Sequence, residues 1–196
     1  AIGRVIQTTG LGPHRLNRAI RPEWFFRPEA FGGILTDIAS HQIDQFLFFT
    51  NSTSARIVAA HTDNRAMPAL PAFEDFGEIL IESDGARGFI RVDWFTPDGL
   101  PTWGDGRLFL LGTEGTIELR KYVDIAGRPG ADHVFLTNGK GTSHIDASAE
   151  PLTYFARCLA DVRDRTATAM PEGHALRVTR LAITAQLMAT AGRTTA

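Results

Sequence analysis

Two hydrophobic periods divide the chain. Over residues 33–49, Ile34, Leu35, Ile38, Phe46 and Phe49 can anchor a helix, while Asp37, His41 and Asp44 fall within an arc of roughly 60°, with Phe48 on the same line. This predicts a helix whose polar stripe opens toward a cavity or a partner. From Asp75 the period shortens to two. Ile79 and Ile81 alternate with Glu78, Leu80 and Glu82. After a turn at Ser83-Asp84-Gly85, Ile90, Val92 and Trp94 alternate with Arg91 and Asp93, which predicts a hairpin. A second hairpin joins residues 107–111 to 116–122 across Gly112-Thr113-Glu114-Gly115.

Less regular stretches complete the outline. A strand is expected over residues 2–9, an irregular segment rich in Pro and aromatic residues to Phe31, and a strand over 55–63. A loop with Pro68 and Pro71 follows, then a weaker strand over 132–137 that ends in the turn Asn138-Gly139-Lys140-Gly141. Two helices close the chain. Ser148 is placed to cap the first, with Leu152, Phe155, Leu159 and Val162 at helical spacing. The second covers about residues 172–191, with Leu176, Leu181, Ile183 and Leu187 as its apolar face. The order predicts an α+β fold, a largely antiparallel open β-sheet with helices on one face, in a single domain over 1–196. Such a sheet turns Ile79, Ile81, Ile90 and Val92 to the helices and Leu80, Phe89 and Phe95 away from them.

Composition narrows the function classes. With 196 residues, 43% of them hydrophobic, the chain can bury a full core. A net charge of −2 argues against a nucleic-acid surface. No stretch approaches the roughly 20 apolar residues of a membrane span, and residues 1–5 do not read as a signal peptide. The single cysteine, Cys158, excludes an intrachain disulfide and fits a reducing, cytoplasmic setting, where it is expected to be a buried small residue. Arginines far outnumber lysines but are scattered, so no joint binding role is assigned to them.

Asp37, His41 and Asp44 leave three chemistries open: a helix-surface salt bridge, a divalent-metal site, or a general acid/base pair. The run Gly10-Leu11-Gly12-Pro13-His14-Arg15 is no pyrophosphate cradle, because Arg15 stands where a third glycine is needed and no long apolar helix follows. Trp103, Gly104 and Asp105 lie in a loop over 97–106 that could edge a pocket. Core packing is the default for Trp24 and Trp94.

Several blocks now combine. Ile2-Gly3-Arg4-Val5, Arg21-Pro22-Glu23-Trp24-Phe25-Phe26, the Gly32-Gly33-x-x-x-Asp37-x-x-x-His41-x-x-Asp44 run and Gly112-Thr113-Glu114-Gly115-Thr116-Ile117-Glu118 together resemble the C-terminal, substrate-binding half of the Gfo/Idh/MocA oxidoreductases. The resemblance covers nearly the whole chain. It implies a fold like the C-terminal domain of glyceraldehyde-3-phosphate dehydrogenase, with the homo-oligomer formed through the open sheet face. It also implies that His41 exchanges the proton of a sugar, cyclitol or similar polyol, that Asp37 orients it, and that Asp44 braces the helix. His14, Asn17 and Trp24 would line the substrate. NAD or NADP would be supplied by a nucleotide-binding half that, like the family's Glu-Lys-Pro segment, has no counterpart here, and the only lysines are Lys121 and Lys140. The chain alone is therefore expected to hold no dinucleotide. A non-catalytic module of the same fold, binding a small molecule or a protein, is the alternative.

Overall fold

The structure, a computed structural model, describes residues 1–193. Its strands are β1 (Val5–Pro13), β2 (Arg56–Asp63), β3 (Phe76–Ser83), β4 (Ala86–Asp93), β5 (Arg107–Gly112), β6 (Gly115–Arg120), β7 (His133–Asn138) and β8 (Gly141–Asp146). They form one sheet in the order β2-β3-β4-β1-β5-β6-β7-β8. Only β1 and β4 run parallel. The helices are α1 (Pro28–Phe31), α2 (Ser40–Thr50), α3 (Tyr154–Asp164) and α4 (Glu172–Arg193). The α+β expectation and the open antiparallel sheet are both seen.

Alternation reads burial correctly in the first hairpin. Ile79, Ile81, Ile90 and Val92 are buried against Ile34, Leu35, Ile38, Ile43, Phe46 and Leu47, while Leu80 and Phe95 remain exposed on the other side. Each fully buried aliphatic side chain contributes roughly 1.5–3 kcal/mol. Close approach of helix to sheet also demands small residues. A Cβ on Gly12 would come within 2.8 Å of the Gln42 amide, so the glycine run belongs to the interior of β1. That extends β1 four residues past the expected end.

The helix expected over 33–49 is interrupted. Residues Leu35–Ala39 form a π turn and α2 continues from Ser40 to Thr50. Its start is capped from a distance: Ile34 N–H donates to Glu74 Oε2 at 3.0 Å and Leu35 N–H to Gln186 Oε1 at 3.0 Å. Gly33 has φ +94° and its Cβ position is filled by the Gln186 amide, which excludes a larger residue there.

Four expectations in the last third are corrected. β8 went unseen because five of its six residues are not apolar, so it carries no alternating signal, and the whole strand is exposed. Ser148 caps no helix; its N–H donates to Asp146, and α3 begins only at Tyr154, three residues after Pro151. The apolar residues of α3 do not enter the core: Phe155 is 78% and Leu159 72% exposed, and Cys158 is half-buried. In α4, Leu176, Ile183 and Leu187 face outward, whereas Val178, Leu181, Ala182, Ala185 and Ala189 pack inward. Small side chains let α4 lie close to β2 and α2, so proximity rather than side-chain size selected the buried face. Among the described residues no helix is long and apolar enough to cross a membrane.

Candidate functional site

The site forms where β1 ends. His14 follows Pro13 and is held by its N–H to Asp93 O at 2.8 Å, while Nδ1 lies 3.1 Å from Gly12 O. Trp103 covers one side of its ring at 4.5 Å and Trp94 meets it edge-on at 5.6 Å. The loop over 97–106 therefore does edge the site. Burial lowers the His14 pKa from its ordinary value, partly offset by the Gly12 carbonyl and by Asp37. Asp37 is pushed the other way. Partial burial of its carboxyl raises its pKa, against the pull of His14, Arg21 and His41. The fold thus gathers His14, Asp37, His41 and Arg21 close enough for their charges to act on one another.

His41 is exposed on α2 and has no ion pair among the described residues, so the helix-surface salt bridge is not formed. Asp44 turns elsewhere. Its Oδ1 lies 2.6 Å from Nε2 of His174, at the start of α4. His41 and Asp44 both lie in α2, so the π turn shifts only Asp37 against them, and Asp44 parts from His41 because its partner, His174, stands at the start of α4. The metal reading of Asp37, His41 and Asp44 is corrected accordingly: among the described residues no group of three or more His, Cys, Asp or Glu is arranged to hold a metal ion.

Two candidates stay apart from this cluster. Asn17 sits in the left-handed region at φ 49°, exposed, and its side chain makes no hydrogen bond among the described residues. Trp24 is half exposed, its ring edge-on to Phe25 at 6.0 Å, while Trp94 is the buried one. Arg21 escaped the sequence reading. Its Nε donates to Leu16 O at 3.0 Å and its guanidinium lies over Phe25 at 4.5 Å and Trp94 at 5.2 Å. Only its place beside Pro22 and the aromatic run hinted at this, because cation–π stacking has no sequence period.

A cavity of about 340 Å³, lined by none of His14, Arg21, Asp37 and His41, runs along α2 between Gln42, Gln45 and Phe49 and the strand residues Leu108, Leu119 and Val134. Gly10 and Gly12 lie inside β1 rather than in a strand-to-helix turn.

The charge environment predicts a titration. His14 is expected to protonate below 6.5 and Asp37 above 3.8 in an NMR titration. Asp37→Asn removes a charge that favours the His14 cation, so the His14 midpoint should fall further. An upward move would contradict the arrangement.

Comparison with known proteins agrees with this architecture. A family model described as the GFO/IDH/MocA C-terminal domain matches residues 1–118. The chain belongs to this family. A protein of Erwinia carotovora atroseptica SCRI1043, named as a candidate oxidoreductase, is 51% identical, with a TM-score of 0.92 over 96% of this chain and 56% of its own. An oxidoreductase from Agrobacterium radiobacter, in complex with NAD+, L-tartaric acid and magnesium, is 20% identical, with a TM-score of 0.70 over 98% of this chain and 57% of its own. Levoglucosan dehydrogenase, in complex with NADH and levoglucosan, is 15% identical, with a TM-score of 0.70 over 98% of this chain and 58% of its own. The last two share the fold. This GFO/IDH/MocA domain thus spans a little over half the length of these proteins. No curated protein matches it.

Proposed function

We propose that this chain is the substrate-binding and oligomerisation domain of an NAD(P)-dependent oxidoreductase acting on a sugar, cyclitol or similar polyhydroxylated molecule. The observation that carries the reading is the meeting of His14, Asp37 and His41 at the end of β1. Oxidation of an alcohol requires one group to take the hydroxyl proton while the carbon gives up hydride. The nicotinamide, held by a domain outside this chain, would accept the hydride. His41 takes the hydroxyl proton on its ring nitrogen, and the Asp37 carboxyl orients the imidazole or the hydroxyl. His14, kept neutral by burial, is free to exchange a hydrogen bond with a second hydroxyl while Trp103 and Trp94 wall the site. Asn17 and Trp24 are exposed on the segment after β1 and remain available to a ligand. NADH with levoglucosan in one relative and NAD+ with L-tartaric acid in another support the cofactor and the polyhydroxylated class.

Assembly through the outer sheet face belongs to the same proposal. The register aligns Leu80 with Phe89, Phe89 with Thr9, Thr9 with Phe109, Phe109 with Glu118 and Glu118 with Phe135, a row with four apolar members out of six on the side away from the helices. Such a row is too apolar to stay wet.

The test is a panel of sugars, cyclitols and polyols offered to the complete protein with NAD or NADP, with light scattering on the same sample. Substrate-dependent NAD(P)H formation by an oligomer is expected. Binding of a polyol without turnover would favour the non-catalytic module, and a strictly monomeric mass would count against the sheet interface.

A further inference from the structure

One cation of the candidate site has no ion-pair partner among the described residues. The Arg21 guanidinium lies over Phe25 at 4.5 Å and over Trp94 at 5.2 Å, and its Nε donates to Leu16 O at 3.0 Å. These three contacts fix the plane of the group. Its two Nη atoms make no hydrogen bond among the described residues, and Arg21 is half-buried, so the forked edge is not sealed from solvent. Its charge acts on Asp37 without forming a salt bridge. The neighbouring arginines are engaged or turned outward. Arg15 donates to Pro97 O at 2.8 Å and Leu100 O at 2.6 Å, and so holds the loop that carries Trp103, while Arg18 is exposed. A second donor is left over beside Arg21. Trp94 is 6% exposed, yet its indole Nε1 has no hydrogen-bond partner among the described residues. A buried N–H without a partner is costly. Trp94 is also the ring that meets His14 edge-on at 5.6 Å, so Arg21 and His14 flank one indole.

A planar fork held rigid, with no protein acceptor on either Nη, matches the two oxygens of a carboxylate. We propose that Arg21 binds the carboxylate of the substrate, which makes that substrate a polyhydroxylated acid of the aldonate or uronate class rather than a neutral sugar. The proposal rests on the oxidoreductase reading above and narrows its substrate. Charge selects a carboxylate over a phosphate. One guanidinium balances one negative charge, and the Asp37 carboxyl close by repels a dianion. His14 and His41 are left to the hydroxyls.

Steady-state kinetics and calorimetry of the complete protein test this with matched probes: gluconate against glucitol, galacturonate against galactose, and glucose 6-phosphate. With NAD or NADP, kcat/KM for the acids is expected to exceed that for their neutral counterparts by on the order of 10²-fold, chiefly through KM. Arg21→Gln should bring this ratio to within about threefold of unity. Arg21→Lys, which keeps the charge but not the fork, should fall between. The wild-type ratio decides even if Arg21→Gln does not fold. Neutral polyols turned over as well as the acids, or an acid preference that survives in folded Arg21→Gln, overturn the proposal and leave the oxidoreductase reading standing. Glucose 6-phosphate used in preference to gluconate overturns it too. Gluconate or galacturonate bound in an Arg21-dependent way without turnover keeps the acid site and removes the oxidoreductase reading. If neither acid is bound or turned over, the proposal fails.

Discussion

Turnover of the complete enzyme is expected to fall on the order of 10²- to 10⁴-fold when His41 is replaced by Ala, with cofactor binding unchanged. The expectation follows from position. His41 is exposed, free of ion pairs among the described residues, and close enough to His14 and Asp37 for their charges to interact. A residue so placed adds little to stability, so its loss should appear in the chemical step. Asp37→Asn should also slow turnover, because the neutral amide can no longer support an imidazolium. Asp44→Asn should matter less for chemistry, since Asp44 bonds His174 and ties α2 to α4. Steady-state kinetics of the folded variants decide the matter: a His41→Ala turnover within about threefold of wild type would sink the assignment.

Replacing Glu74 by Ala is expected to cost about 3 kcal/mol of stability and lower the melting temperature by roughly 6–12 °C. Glu74 is buried between three elements. Its carboxylate accepts Ile34 N–H at 3.0 Å, the Thr62 hydroxyl at 3.0 Å and the Gln186 amide at 2.9 and 3.0 Å. Truncation strands all three donors away from water, each at about 1–3 kcal/mol, though such costs do not simply add. Because Ile34 opens the turn that carries Asp37, the damage should reach the site as well. Glu74→Gln, which keeps the shape and one acceptor, should lose less. Urea unfolding that finds Glu74→Ala within about 0.5 kcal/mol of wild type would refute this account.

By itself the sequence determined the elements whose burial alternates locally. Ile79, Ile81, Ile90 and Val92 read directly as one sheet face, and Ile34, Leu35, Ile38 and Phe46 as a helix anchor, because a side chain's direction follows from its place in a regular period. The spacing of Asp37 and His41 was legible for the same reason. Tertiary structure decided everything that depends on a distant partner. Asp44 belongs with His174, 130 residues away, and His14 joins Asp37 only because β1 runs parallel to β4 and ends beside α2. Arg21 is fixed by the rings of Phe25 and Trp94, which meet only in the folded chain. In α4, Ala182, Ala185 and Ala189 went inward with Leu181, while Leu176, Ile183 and Leu187 went outward, since the distance to β2 and α2 set what could fit. β8 is a strand because β7 offers it a hydrogen-bonded edge, a condition that polar residues satisfy without leaving any mark in their order.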